Sequence, residues 1–174
     1  MKIRIVGPCG SGKSSLAREL SKEFNIPYYE IDNMIWDRSE EDLRYPEEVR
    51  NATFFKIIQS ESWIVEGAQS KWTGESFGCA DIIFILVPNV WVRDHRIIKR
   101  FIRSRTGIES WNYKQTFSNL IKMMVEWNHR YDLGEVSELT QTYSNKRFYI
   151  KNKKDAIKHI QDYIGAERKD NDIA

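Results

Sequence analysis

Along this chain, short apolar runs alternate with stretches whose apolar positions recur every three or four residues. KIRIV opens as a β-branched strand pattern (Ile3, Ile5, Val6), and residues 13–24 follow with Leu16, Ala17, Leu20 and Phe24 at helical spacing. PYYEI (27–31) predicts a second strand. Pro46 to Gln59 predicts a helix whose apolar repeat is Val49, Ala52, Phe55 and Ile58. WIVE (63–66) and DIIFILV (81–87) are two further strands, the second apolar enough to be buried on both faces. Residues 89–105 and 112–131 predict helices, RFYI (147–150) a last strand and 153–164 a closing helix. In 112–131, Phe117, Leu120, Ile121, Met124, Trp127 and Tyr131 form a stripe that core packing explains. Such alternation implies an α/β fold of three αβα layers, with about five parallel strands and helices on both faces. No repeat, low-complexity tract or linker divides residues 1–165, so they predict a single domain. The polar segment 166–174 is expected to be a flexible, frayed tail.

Between the first strand and the first helix the chain reads GPCGSGKSS, which fits G-x-x-x-x-G-K-[ST]. Glycines here let successive backbone N–H groups converge on one concave site at a helix N-terminus, where unpaired donors and the dipole favour phosphate. The nine residues Gly7, Pro8, Cys9, Gly10, Ser11, Gly12, Lys13, Ser14 and Ser15 are therefore the expected nucleotide cradle. Lys13 would reach the β- and γ-phosphates, and the Ser14 hydroxyl would ligate Mg²⁺. With the strand before it and the helix after it, the motif predicts a nucleoside-triphosphate site of the P-loop type.

In parallel sheets, ligands bind at the carboxyl ends of the strands, and that rule sorts the acids. Glu66 ends WIVE, so it should point towards Mg²⁺, through a water. Asp81 begins DIIFILV at the opposite edge and reads as structural, although it looks more like a metal-binding aspartate. Asp32 lies just beyond PYYEI and has two readings: a carboxylate that orients or deprotonates an acceptor hydroxyl, or a cap for DNMIW. Trp36 either walls an acceptor pocket or packs in the core.

VRDHRIIKRFIRSR (92–105) places Arg93, Arg96, Arg100 and Arg103 on one helical stripe, leaving Ile97, Ile98, Phe101 and Ile102 to pack on the body. Guanidinium forks bind phosphate and stabilise charge on a transferring phosphoryl group. Beside a phosphate loop, this stripe predicts a lid (about 93–131) rather than a solvated face. Arg96 and Arg100 would be catalytic and Arg103 nucleotide-binding. After RFYIK comes NKKD, a match to the guanine-reading N-K-x-D pattern. Two features oppose a GTPase: EGAQ stands where D-x-x-G is required, and only one helix follows. Asn152 is thus read as bordering the base without specifying guanine.

Composition narrows the partners. A net charge of +2 argues against a dedicated nucleic-acid binder. With no 18-residue apolar run and no signal-peptide core, a cytoplasmic protein without a membrane partner is expected. Cys9 and Cys79 form no ligand cluster, and His95, His129 and His159 have no metal spacing, so surface or helix positions suffice for them.

Together these residues resemble the adenylate-kinase-like kinases, and more closely the family of DNA topology modulation proteins (FlaR-like). GPCGSGKSSLAREL resembles that family's opening, IDNMIW its aspartate and tryptophan after the second strand, and WIVEG and ADIIFIL its next two strands. The arginine helix and the tryptophan-containing helix extend the likeness over roughly residues 1–165. Where the family commonly reads G-N-Y after the acidic residue, this chain reads GAQ, so the acceptor contacts that the resemblance implies near Gln69 depart from the family's. The resemblance implies ATP and Mg²⁺. The first reading is a Mg-ATP-dependent phosphotransferase with a small-molecule or nucleotide acceptor, using Lys13, Asp32, Arg96 and Arg100. The acceptor would meet Asp32, Trp36 and Gln69. The alternative is a nucleotide-dependent regulatory protein acting on DNA, with little kinase activity.

Overall fold

The first strand sets the two-sided architecture. In β1 (Lys2–Val6), Ile3 and Ile5 point into one core while Arg4 and Val6 point to the other face. A computed structural model of the chain describes residues 1–37, 43–105 and 117–171. The strands β2 (Tyr28–Glu30), β3 (Trp63–Gly67), β4 (Ile82–Leu86) and β5 (Arg147–Ile150) join β1 in one sheet, in the order β2-β3-β1-β4-β5. Every pairing is parallel. β3 and β4 are buried throughout, as expected of strands covered on both faces.

Helix α1 (Lys13–Phe24) buries Leu16, Ala17 and Leu20 on the Ile3/Ile5 side, and ends at Asn25 in the left-handed conformation. Later in the chain come α2 (Asp32–Ile35), α3 (Glu47–Ile58), α4 (Glu75–Cys79), α5 (Val90–Arg105), α6 (Phe117–Met124), α7 (Leu133–Leu139) and α8 (Lys153–Asn171). The second core gathers Phe54 and Ile58 of α3, Phe77 of α4 and Val136 of α7 against Val6, Val65 and Ile83. On the first side, Ala156 and Ile160 of α8 pack beside α1. The five-stranded parallel sheet between helical layers is the one the apolar pattern predicts.

Three helices depart from expectation. In α3 the buried residues are Phe54 and Ile58, whereas Val49 and Phe55 are exposed. The helix is turned by Trp72, whose ring lies 5.3 Å from Phe54 and 4.2 Å from the Arg50 guanidinium. In the second lid helix, residues 112–116 lie outside the described residues. The remainder leaves α-geometry: α6 passes at Met124 into a π-helical turn, Val125–His129. On α6 Met123 turns inward while Phe117 and Ile121 are exposed, and the extra residue of the π turn then brings Asn128 inward and leaves Trp127 exposed. The core stripe expected there is not formed. Likewise Ile97 and Phe101 of α5 are buried, but Ile98 and Ile102 face outward. The closing helix runs on to Asn171, so most of the expected frayed tail is helical; residues 172–174 lie outside the described residues.

The NKKD match is accounted for by local structure. Asn152 Oδ1 accepts the Asp155 N–H at 3.2 Å, and Asp155 Oδ2 accepts the Lys151 N–H at 3.0 Å. This reciprocal pair starts α8 in the manner of a capping box. Asn152→Ala should therefore cost about 1 kcal/mol of stability, a fall in Tm of roughly 2–4 °C for a chain of this size. ATP affinity should not change. A tenfold loss of affinity at constant Tm would instead put Asn152 in the nucleotide site.

Candidate functional site

The register brings the carboxyl ends of β1 and β3 together: Ile5 faces Glu66 and Val6 faces Gly67. The phosphate loop leaves β1 at this edge. Gly10 (φ +73°) and Gly12 (φ +97°) both hold left-handed backbone. A Cβ would stand 2.7 Å from the Arg93 carbonyl oxygen at Gly10 and 3.0 Å from Arg96 Nη1 at Gly12. Glycine here thus allows the turn and also lets α5 approach the loop.

Gly7, Pro8 and Ser11 are buried, whereas Ser15 is exposed on the first turn of α1. Lys13 Nζ donates to the Pro8 carbonyl at 3.0 Å, folded over the loop. Ser14 Oγ donates to Glu66 Oε1 at 2.7 Å. Both oxygens are hard donors, suited to a Mg²⁺ ion that keeps several waters and takes its other ligands from phosphates. Among the described residues no group of three or more His, Cys, Asp or Glu side chains could hold a metal, so a metal here would depend on this pair. Ser11 Oγ is buried without a hydrogen-bond partner inside the loop. A phosphate oxygen would satisfy it.

Asp81 sits at the other edge of the sheet, where its Oδ2 accepts the Lys2 N–H at 2.7 Å. The strand-end rule therefore sorted the two acids as the structure does. Burial pushes the Glu66 carboxyl above the usual carboxylate range, and the nearby Lys13 ammonium and the Ser14 hydroxyl offset this in part. With a raised folded pKa, the unfolded chain loses its proton first as pH rises. The stability penalty grows from the unfolded carboxylate range up to the folded value and persists above it. Glu66→Gln should thus stabilise the ligand-free protein at neutral pH, seen as a rise in Tm. The gain should vanish at acid pH. A thermal melt series from pH 4 to 8 checks this, and a lower Tm for the variant at pH 7 would contradict it.

Beyond the ends of β2 and β3, Gln69 Nε2 donates to Asp32 Oδ1 at 2.9 Å. The loop carrying Gln69 is held from below by Arg4, a fully buried cation that sequence reading passed over. Arg4 donates to the carbonyls of Gln69 (2.6 Å) and Ile5 (2.7 Å) and lies 5.4 Å from the centre of the Phe77 ring. Desolvation lowers its pKa to about 10, which leaves it charged at neutral pH. Trp36 is half-buried and stacked by the Arg44 guanidinium at 4.4 Å, so its exposed ring face is already occupied.

The lid residues divide. Arg96 Nη1 donates to the Ser11 carbonyl at 2.6 Å, and Arg100 Nη2 lies 3.7 Å from Cys9 Sγ and 3.6 Å from Met123 Sδ. Arg103 instead lines a cleft of about 420 Å³ with His95, Ile98, Lys99 and Ile102. The stripe thus meets the loop over two of its arginines. His129, expected at a surface or helix position, is exposed on the turn Val125–His129, and its Nε2 lies 2.9 Å from Asp94 Oδ2. A lone acid within an arginine-rich helix was the available signal.

No protein-family profile matches the chain. Shikimate kinase from Buchnera aphidicola subsp. Acyrthosiphon pisum is 33% identical over 55 residues, a stretch that spans 32% of this chain and 32% of that protein. The chain thus matches about a third of the length of such relatives. Among solved structures, shikimate kinase from Acinetobacter baumannii, in complex with shikimate, superposes with a TM-score of 0.53 at 16% identity, covering 95% of this chain and 93% of that one. Shikimate kinase from Bacteroides thetaiotaomicron superposes with a TM-score of 0.54 at 13% identity, covering 95% and 98%. The chain shares the fold of these structures, a parallel sheet between helical layers.

Proposed function

We propose that this chain is a Mg-ATP-dependent phosphotransferase acting on a small hydroxylated acceptor. The observation that carries the reading is the 2.7 Å hydrogen bond from Ser14 to Glu66, made where a glycine-rich phosphate loop meets the end of a parallel strand. Ser14 would hold Mg²⁺ directly and Glu66 through water. The ion would neutralise charge on the β- and γ-phosphate oxygens. Lys13 swings from Pro8 to those same oxygens. Arg96 and Arg100 lie against the loop at Ser11 and Cys9, within reach of charge that develops on the transferring group.

Asp32 serves the acceptor. Gln69 holds one of its oxygens, which leaves the other to accept the proton of an acceptor hydroxyl as the hydroxyl oxygen attacks the γ-phosphorus and ADP leaves. The relatives' name, shikimate kinase, suggests a polyhydroxylated small-molecule acceptor. The likeness to DNA topology modulation proteins rests on sequence motifs, and it motivates the competing outcome of the test. ADP release is measured over a panel of hydroxylated acids, sugars and nucleosides with Mg²⁺, then with a chelator. Acceptor-dependent ADP that the chelator abolishes supports the kinase. Nucleotide-dependent retention on DNA at moderate salt, without acceptor-dependent ADP, would replace it with the regulatory reading.

A further inference from the structure

The π-helical turn Val125–His129 is tied down at both ends of the lid. The Trp127 carbonyl accepts the N–H of Cys9, in the phosphate loop, at 3.1 Å. Asn128 Nδ2 donates to Asp94 Oδ1 at 2.6 Å, and His129 Nε2 lies 3.1 and 2.9 Å from the two Asp94 oxygens. The Asp94 side chain is 11% exposed, and Asn128 is buried. Asp94 is the sole acid of α5 and stands two residues before Arg96. A carboxylate buried to this degree needs partners, and the π turn supplies two of them, with the neighbouring Arg93 adding a favourable charge. π turns are rare and cluster at functional sites, because the extra residue strains the helix unless something holds it.

We propose that Asp94 is a positioning residue that locks the π turn to the arginine helix. Through that lock the Trp127 carbonyl stays on the Cys9 N–H, and Arg96 and Arg100 stay against the phosphate loop. Without it, the turn can relax to α-geometry, which would rotate the residues beyond it by about 100° relative to the helix before it. The Trp127 carbonyl would then leave Cys9. The lock is a property of the fold and does not depend on the kinase reading; only its kinetic consequence rests on that reading.

Cys9 reports on the lock because it lies between Arg100 and the π turn. The test uses the full chain in a Cys79→Ser background, with iodoacetamide as probe, well below the melting temperature. Asp94→Ala should speed alkylation of Cys9 about tenfold or more, Asn128→Ala should do nearly the same, and the double variant should be no faster than either single one. An unchanged rate in a folded Asp94→Ala protein, or additive effects in the double variant, would overturn the proposal. Should Asp94→Ala not fold, Asn128→Ala and His129→Ala approach the lock from its other side and decide by the same readout. Where turnover is measurable, Asp94→Ala should lower kcat with little change in KM for ATP. It should have no further effect in an Arg96→Ala/Arg100→Ala background, whereas a general loss of stability would act in both backgrounds. If the wild type shows no turnover with any acceptor, the kinase reading fails while the alkylation result still judges the lock.

Discussion

Lys13→Ala is expected to weaken binding of an ATP analogue by about 10²-fold or more, from charge-assisted hydrogen bonds worth roughly 1.5–3 kcal/mol each. The fold should survive. Lys13 is half-exposed on the first turn of α1, and its ammonium makes a single 3.0 Å hydrogen bond to the Pro8 carbonyl. Removing it leaves the core residues Leu16, Ala17 and Leu20 of the same helix in place. The loop's backbone donors would still cradle phosphate, so the residual affinity measures what the nest and helix terminus supply without the cation. A second effect acts through Glu66: Lys13 offsets part of the burial that raises the Glu66 pKa. Its loss should make Glu66 harder to ionise and depress Mg²⁺ binding further. Calorimetric titration alongside a thermal melt separates the two quantities. Wild-type affinity in the folded variant would remove this loop as the nucleotide site.

What could be read from the sequence was local or set by a general rule. The glycines at 10 and 12 announce a turn, and the apolar runs announce strands, because both signals lie within a few residues. Glu66 and Asp81 were separable because a parallel sheet has one productive edge. Distant partners decided the rest. Phe54 rather than Phe55 faces the core because Trp72, fourteen residues beyond the end of α3, stacks on that side. Arg4 lies in a strand that looks half-polar, yet the sheet is covered on both faces and its guanidinium ends among backbone carbonyls. NKKD resembles a base-reading motif because Asn and Asp at that spacing also make a helix cap. No periodicity marks the π turn, so the inward role of Asn128 was hidden.

The arginine helix carries the other large effect. Arg96→Ala and Arg100→Ala should each lower kcat by about 10²-fold, the scale seen when one preorganised donor to a transition state is removed. Nucleotide affinity should change less, because charge on the transferring group develops only as the bond breaks. The two residues are not equivalent. Arg96 already spends one Nη on the Ser11 carbonyl, so its removal also frees a segment of the phosphate loop. Arg100 rests on the sulfurs of Cys9 and Met123, weak acceptors that a phosphoryl oxygen would outcompete. Arg100→Ala should therefore leave ATP affinity closer to wild type than Arg96→Ala does. Lysine should rescue only in part at either position, because it lacks the planar fork. Arg103, which lines the cleft with His95 and Lys99, is the internal control: its alanine variant should keep a near-wild-type kcat. Slow ATP hydrolysis serves as the assay until an acceptor is known. Equal rates for wild type and the Arg96→Ala/Arg100→Ala double variant would reduce the stripe to a basic surface that happens to rest on the loop.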